Sequence, residues 1–282
     1  MNYKLIIGWL NPELMSTYGD RGNIIVLKKR CEWRGINLDV KTIDFKTARQ
    51  EIEKCNLIFG GGAQDRQQGI LIEDLRKNKG PILKKMFDKG IPGLFVCGAP
   101  QLLGHYYMTG DGTKLEGLGI FDMVSKHFGK DKPRCIGNTV AETGDEFRVP
   151  SLEFRKTIVG FENHGGRTYL KEISSTPASP AGRQYPISNT HEKNSQLESA
   201  TRPFAKVTKG CGNNGEDGTE GAVYKNCIAT YSHGPFLPKN SHIADWLISK
   251  SLEIKYKKKI TLTPLDDTLE WQAHDVLLNL EN

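Results

Sequence analysis

An α/β fold, a mostly parallel sheet with helices on both faces and an antiparallel extension, is predicted by three features of the 282-residue sequence. Short apolar runs alternate with amphipathic stretches up to Gly104, the pattern left by parallel strands joined through crossover helices. Glycines punctuate the ends of these units. Beyond Gly104 the pattern loosens into strand candidates separated by glycine-rich turns, which suits antiparallel pairing.

YKLIIGWL opens the series as a strand. In GNIIVLKKRCEWRG, Ile24, Leu27 and Cys31 recur at helical spacing, and Gly35 supplies the stop. INLDVKTIDF alternates as a second strand, TARQEIEKC forms a short helix, and NLIF is a third strand ending in Gly60, Gly61 and Gly62. The stretch after these glycines reads as a loop. PILKKMFDKG then forms a helix closed by Gly90, and GLFV is a central strand running straight into Cys97 and a further helix. LEGLGIFDMV, TIVGFENH and CIATYSHG are the later strand candidates. Two helices close the chain within 240–282. The first is SHIADWLISKSLEIKY, with Ile243, Trp246, Leu247 and Ile254 on one stripe; the second is opened by Pro264 and runs on through LEWQAHDVLLNL. Residues 173–203, rich in Ser, Thr, Pro and charge, read as an exposed, mobile insertion in a single domain spanning 1–282.

Composition narrows the function classes. With 37% hydrophobic and 26% charged residues, four tryptophans and eleven phenylalanines, the chain can bury a core and is not disordered. No apolar run approaches the roughly 20 residues of a membrane span, and MNYKLIIGWLNPE lacks a signal-peptide cleavage site, so a cytoplasmic location is expected. The six cysteines contain no CxxC pair, which points to reduced thiols rather than a zinc or thioredoxin motif. The formal charge of +6 includes one basic run, KYKKK at 255–259, which reads as the solvated end of a helix rather than a nucleic-acid site.

Chemistry concentrates at Cys97. A cysteine between a strand and a helix places its sulfur by the positive end of the helix dipole, which favours the thiolate. Gly98 permits a sharp turn, and its N–H can face an oxyanion formed on a carbonyl that Cys97 attacks, as in the strand-to-helix elbow of serine hydrolases. The plain alternative is a cysteine packed as a small hydrophobe. Gly60 to Gly62, also at a strand end, can supply a second oxyanion donor, while no GK[ST] or GxGxxG follows to make a phosphate loop. A thiolate acting on an amide needs an acid for the leaving nitrogen. His233, in IATYSHGPFLPKN, ends an apolar strand and is the first choice; His164, in ENHGGR, is its competitor, with a role in holding the GGR turn as its other reading.

At Cys97, Gly98, Gln101 and His233 the sequence resembles the class I, CobB/CobQ-like glutamine amidotransferases. Within them it is most similar to the glutaminase subunits that work with a MurT-like Mur ligase on lipid II. YGDRGNIIVLKKR, IFGGGAQDRQQ, GIPGLFVCGAPQLLG, TKLEGLGIFD, TIVGFENHGGRTYL, GNNGEDGTEGAVYKN and ATYSHGPFLPKN carry the resemblance. It implies a flavodoxin-like three-layer fold and hydrolysis of glutamine through a thioester on Cys97, with His233 as acid and base. It places Arg134 as the grip on the substrate α-carboxylate and Gln101 in substrate binding, beside Gly61, Gly62 and Gly98. No metal or organic cofactor is expected on this chain; ATP and Mg would belong to the partner ligase, which would form a heterodimer with it. A subunit for another synthetase, such as a cobyrinate-type one, and a non-catalytic scaffold are the alternatives. Three departures stand out. Pro235 replaces the glutamate that many relatives carry two residues past the histidine, leaving a Cys/His dyad or a substitute carboxylate, for which Asp20 is the candidate and a helix N-cap its equal reading. Ala99 and Pro100 stand where glycine and an aromatic residue are common, and the 173–203 segment is longer than that branch leads one to expect.

Overall fold

Apolar strands flanked by helices generate the central element, a six-stranded sheet. The computed structural model describes residues 3–170 and 200–280. The sheet is built from β1 (Lys4–Leu10), β2 (Asn37–Ile43), β3 (Leu57–Gly60), β4 (Gly93–Val96), β13 (Ala222–Tyr224) and β14 (Cys227–Thr230), in the order β13-β14-β4-β3-β1-β2. All neighbours are parallel except β13 on β14. β3, β4 and β14 are buried along their whole length, so they read as continuous apolar runs rather than alternating ones.

Helices cover both faces. α1 (Arg21–Glu32) buries Ile24, Leu27 and Cys31 on one face, together with α6 (Ser241–Tyr256), which contributes Ile243, Leu247 and Leu252. α2 (Arg49–Glu53), α3 (Asp65–Asp74), α4 (Gly80–Asp88) and α5 (Gly98–Leu103) pack a second core on the other, with Ile52, Leu71, Leu83 and Leu102. Gly35 and Gly90 end α1 and α4 at φ of 65° and 85°, the left-handed stop that the sequence predicts. The stretch after the glycines, expected as a loop, is α3, which continues through a π-helical turn, Leu75–Lys79, into α4. Its apolar positions are few, but Gln68, Leu71 and Leu75 share one buried face. The last helix, α7, covers Thr268–Asn279 and is preceded by Asp267 rather than opened by Pro264.

The antiparallel extension is two further four-stranded sheets. One joins β5 (Tyr106–Met108), β6 (Lys114–Glu116), β7 (Met123–His127) and β10 (Gly166–Leu170), with a single parallel pair, β5 and β7. The other joins β8 (Cys135–Thr143), β9 (Thr157–His164), β11 (Ala205–Lys209) and β12 (Thr219–Glu220). LEGLGIFDMV is divided between β6 and β7 rather than forming one strand. Most of the segment expected to be an exposed insertion lies outside the described residues. Its end is tied down: Arg202 and Val223 exchange backbone hydrogen bonds of 3.0 and 2.7 Å, and Thr201 Oγ1 accepts the Asp122 amide at 2.8 Å.

Candidate active site

Four chain segments leave the carboxyl ends of β1, β3, β4 and β14, adjacent parallel strands, and meet at one place. Strand order reverses around β1, whose neighbours are β2 and β3, and ligands of open α/β sheets bind at such a switch point. Cys97 leaves β4 at φ 52° and ψ −96°, a conformation that costs about 1–3 kcal/mol for a non-glycine residue. Two contacts hold it there. Its N–H donates to the Thr230 carbonyl at 2.8 Å, and Gly98 lies so close to the β3 loop that a Cβ would stand 2.6 Å from the Ala63 nitrogen. α5 has only six residues, so the dipole expected to favour the thiolate is that of a short helix. A charged side chain lies beside the sulfur.

That side chain is His233, fully buried beyond the end of β14. Phe161 of β9 brackets its backbone, accepting the His233 N–H at 2.8 Å and donating to its carbonyl at 3.3 Å. His233 Nδ1 faces Asp20 Oδ1 at 3.4 Å, and Tyr18 covers the ring edge-on with centroids 5.0 Å apart. Burial pulls the imidazolium down, but the charge on the Cys97 sulfur and the bond to Asp20 outweigh it and push His233 up to about 10. Nε2 has no closed hydrogen bond, the loose arrangement usual for a nucleophile and its base before substrate arrives. Thiol and imidazole thus lie on the same side of the sheet and within mutual influence.

Asp20 makes no side-chain capping bond at α1; its second oxygen instead accepts the Gly62 N–H at 2.6 Å. The N-cap reading therefore yields to one in which this carboxylate bridges a glycine loop and the histidine. Pro235 explains how an aspartate from far upstream reaches the ring. A Cβ on Gly22 would overlap the proline ring, and Asn23 Oδ1 accepts the Leu237 N–H at 2.8 Å, so the His233 segment is keyed onto the first turn of α1. Gly62 has its N–H committed to Asp20, and a Cβ on it would stand 3.0 Å from the His233 ring. Close approach, rather than anion binding, accounts for glycine there. The loop amide beside the bend belongs to Ala63, a residue that nothing in the sequence singles out.

Cys97 opens into a cavity of about 560 Å³ whose lining includes Ala63, Gln101, Arg134, Asn163 and His164. Arg134 reaches Asn163, donating through Nη2 to its side-chain oxygen at 2.9 Å and its carbonyl at 3.2 Å. Gln101 is mostly spoken for: its oxygen accepts from Gln68 at 2.8 Å and its nitrogen donates to the Tyr231 hydroxyl at 3.2 Å. Gln68 also donates to the Ala63 carbonyl at 3.0 Å, so Gln101 braces the loop beside Cys97.

Known proteins are similar to this chain in sequence and in fold. The sequence profile of the CobB/CobQ-like glutamine amidotransferase domain matches residues 6–241. The chain belongs to this family. It is 38% identical over 99% of its length to a Staphylococcus aureus protein, of which it covers 97%, and 32% identical over 95% of its length to one from Streptococcus pneumoniae, of which it covers 88%. Both are named lipid II isoglutaminyl synthase (glutamine-hydrolyzing) subunit GatD. A solved glutamine amidotransferase shares the fold, with a TM-score of 0.51 at 11% identity, over 87% of this chain and 98% of that one.

Within this CobB/CobQ-like amidotransferase, a second thiol, imidazole and carboxylate come together as Cys135, His164 and Glu162. Cys135 is completely buried, and its thiol is pushed up chiefly by burial, so no substrate carbonyl reaches it. His164 Nδ1 donates to the Gly166 carbonyl at 2.7 Å, which holds the GGR turn, and its ring stacks on Tyr231 with centroids 3.9 Å apart. Of the two histidines weighed in the sequence, the structure brings His233 to Cys97. All six cysteines are free thiols. No helix among the described residues is long and apolar enough to cross a membrane.

Proposed function

We propose that this chain is the glutaminase subunit of a lipid II isoglutaminyl synthase. It would hydrolyse L-glutamine and deliver ammonia to a MurT-like ligase that uses ATP to amidate the D-glutamate α-carboxyl of lipid II. Cys97, strained on the cavity wall and beside the charge of His233, is the observation that carries the chemistry. The full-length similarity to proteins named as GatD subunits supports the acceptor and the partner.

In this reading glutamine enters with its α-carboxylate on Arg134, whose guanidinium fork suits bidentate binding and which Asn163 steadies. The Cys97 thiolate attacks the side-chain amide carbon. The N–H groups of Gly98 and Ala63 flank the developing oxyanion, and each such donor is worth roughly 3 kcal/mol of barrier. His233, charged in the resting enzyme, protonates the departing nitrogen, leaving a γ-glutamyl thioester and ammonia. Neutral His233 then takes a proton from water, which attacks the thioester and releases glutamate. Asp20 keeps the ring oriented throughout.

Co-expression with a MurT-like ligase, followed by an assay for amidated lipid II in glutamine and ATP, tests the whole reading. Amidation with wild-type chain and none with Cys97→Ala is expected. Equal amidation by both would remove the thiol from the reaction. Arg134→Ala should raise KM for glutamine by roughly tenfold or more, the loss of a charged hydrogen bond, with a smaller effect on kcat; an unchanged KM would refute its part.

A further inference from the structure

We infer that Cys135, Glu162 and His164, with Cys211 beside them, form a structural site for a thiophilic divalent metal ion such as zinc, separate from the reacting thiol. One ligand atom from each of the first three residues lies within 4.8 Å of the others, and His164 Nε2 is 3.8 Å from Glu162 Oε2, about half an ångström wider than the ~3.3 Å between an N and an O ligand of one tetrahedral zinc ion. The cluster is buried: Cys135 is 0%, Glu162 2% and His164 2% exposed.

An unsatisfied buried atom carries the assignment. His164 Nδ1 donates to the Gly166 carbonyl, which leaves a lone pair on Nε2, and that nitrogen has no partner although it is buried. A histidine that gives one ring N–H to a backbone carbonyl and aims the other nitrogen into a pocket of sulfur and carboxylate is oriented as a metal ligand. Cys211 adjoins Cys135, and its N–H with that of Gly212 holds the two Glu162 oxygens at 2.6 and 2.9 Å. Arg167 donates to the Cys135 sulfur and, at 2.5 Å, to the Pro133 carbonyl.

Charge decides whether a cation fits beside that guanidinium. One thiolate, one carboxylate and one neutral imidazole around a divalent ion sum to zero, so Arg167 can keep donating to the Cys135 sulfur from outside the ligand shell without facing a net positive centre. Zinc and cadmium suit this mixture of S, N and O donors better than magnesium or calcium. Cys135 delivers its thiol proton to solvent as the ion binds. The ion would join the end of β9 to the start of β8. Arg134 immediately precedes Cys135, and Asn163 lies between Glu162 and His164, so the ion would fix the strand ends that bear both residues.

The test uses the full chain, stripped with a chelator and titrated with cobalt or zinc. About one cobalt per chain with a thiolate-to-cobalt charge-transfer band is expected, in wild type and in Cys97→Ala alike, with the band lost in Cys135→Ser. Zinc added to stripped Cys97→Ala should also raise its Tm, a readout that uses the native ligand set if Cys135→Ser fails to fold. No band, a band that vanishes in Cys97→Ala or persists in folded Cys135→Ser, or an unmoved Tm would each overturn the site.

Discussion

Two sets of thiol, imidazole and carboxylate lie among the described residues, and they share their functional groups but neither their setting nor their exposure. Cys97, His233 and Asp20 come from three loops at the open end of a parallel sheet, whereas Cys135, His164 and Glu162 come from two neighbouring strands of an antiparallel one. At the first the sulfur is half-buried, forced onto a positive φ and facing a cavity. At the second it is sealed, unstrained and held by an arginine. Reactivity therefore follows from where the backbone leaves a thiol and what charge lies beside it, and a list of residue types does not supply it.

The harshest way to break the contrast is to remove either sulfur. Cys97→Ala should lower glutamine turnover by roughly 10⁴-fold or more, while folded Cys135→Ser keeps measurable turnover. Brief iodoacetamide treatment of the native protein, read by peptide mass spectrometry, should label Cys97 and spare Cys135; the reverse pattern would dissolve the distinction. Next in size is the carboxylate. Asp20→Asn should reduce kcat by about 10²- to 10⁴-fold, since it no longer steadies the charged ring. Because Asp20 helps hold the His233 proton up to about 10, the alkaline limb of activity in Asp20→Asn should move to lower pH. An unmoved limb would show that Asp20 does not act through the ring.

A third carboxylate provides the mildest probe. Glu220 is buried under Tyr231, accepting the Thr230 hydroxyl at 2.5 Å and the Tyr231 N–H at 2.9 Å, with no hydrogen bond to its other oxygen. Burial first, opposed by those donors, pushes it up to about 7. Between its unfolded value and pH 7 the folded state alone holds the proton, so this group destabilises the protein at alkaline pH and the penalty is relieved as pH falls below 7. Glu220→Gln should therefore raise Tm more at pH 8 than at pH 6, by at most about 3 kcal/mol of stability. Equal Tm shifts at both values would contradict this.

Much of the contrast is legible in the sequence, and its limits are physical. GLFVCG marks a strand-to-helix corner because four apolar residues end abruptly at a small flexible step. IATYSH does the same for His233, and both corners stand where those patterns put them. Asp20 can be only half read. A carboxylate before a helix is also the sequence of an N-cap, and the proline–glycine contact that redirects it joins residues 22 and 235. Ala63 is invisible because an oxyanion donor is a backbone N–H and carries no residue signature. Helix α3 passes for a loop because its buried face includes a glutamine, Gln68. The Cys135 cluster is hidden for a different reason: its residues are brought together by strand register, Cys135 opposite His164, and CxxC spacing never enters.

The bend at Cys97 has a thermodynamic shadow. A residue with a Cβ adopts φ 52°, ψ −96° only because surrounding packing compels it, whereas glycine adopts such angles freely. The native sequence is thus held below the stability this backbone could reach, and a glycine exchanged for the nucleophile would release the tension along with the chemistry. Heat tolerance and turnover pull in opposite directions at a single φ angle, so a screen for the most robust form of this fold would drift toward proteins that have stopped working.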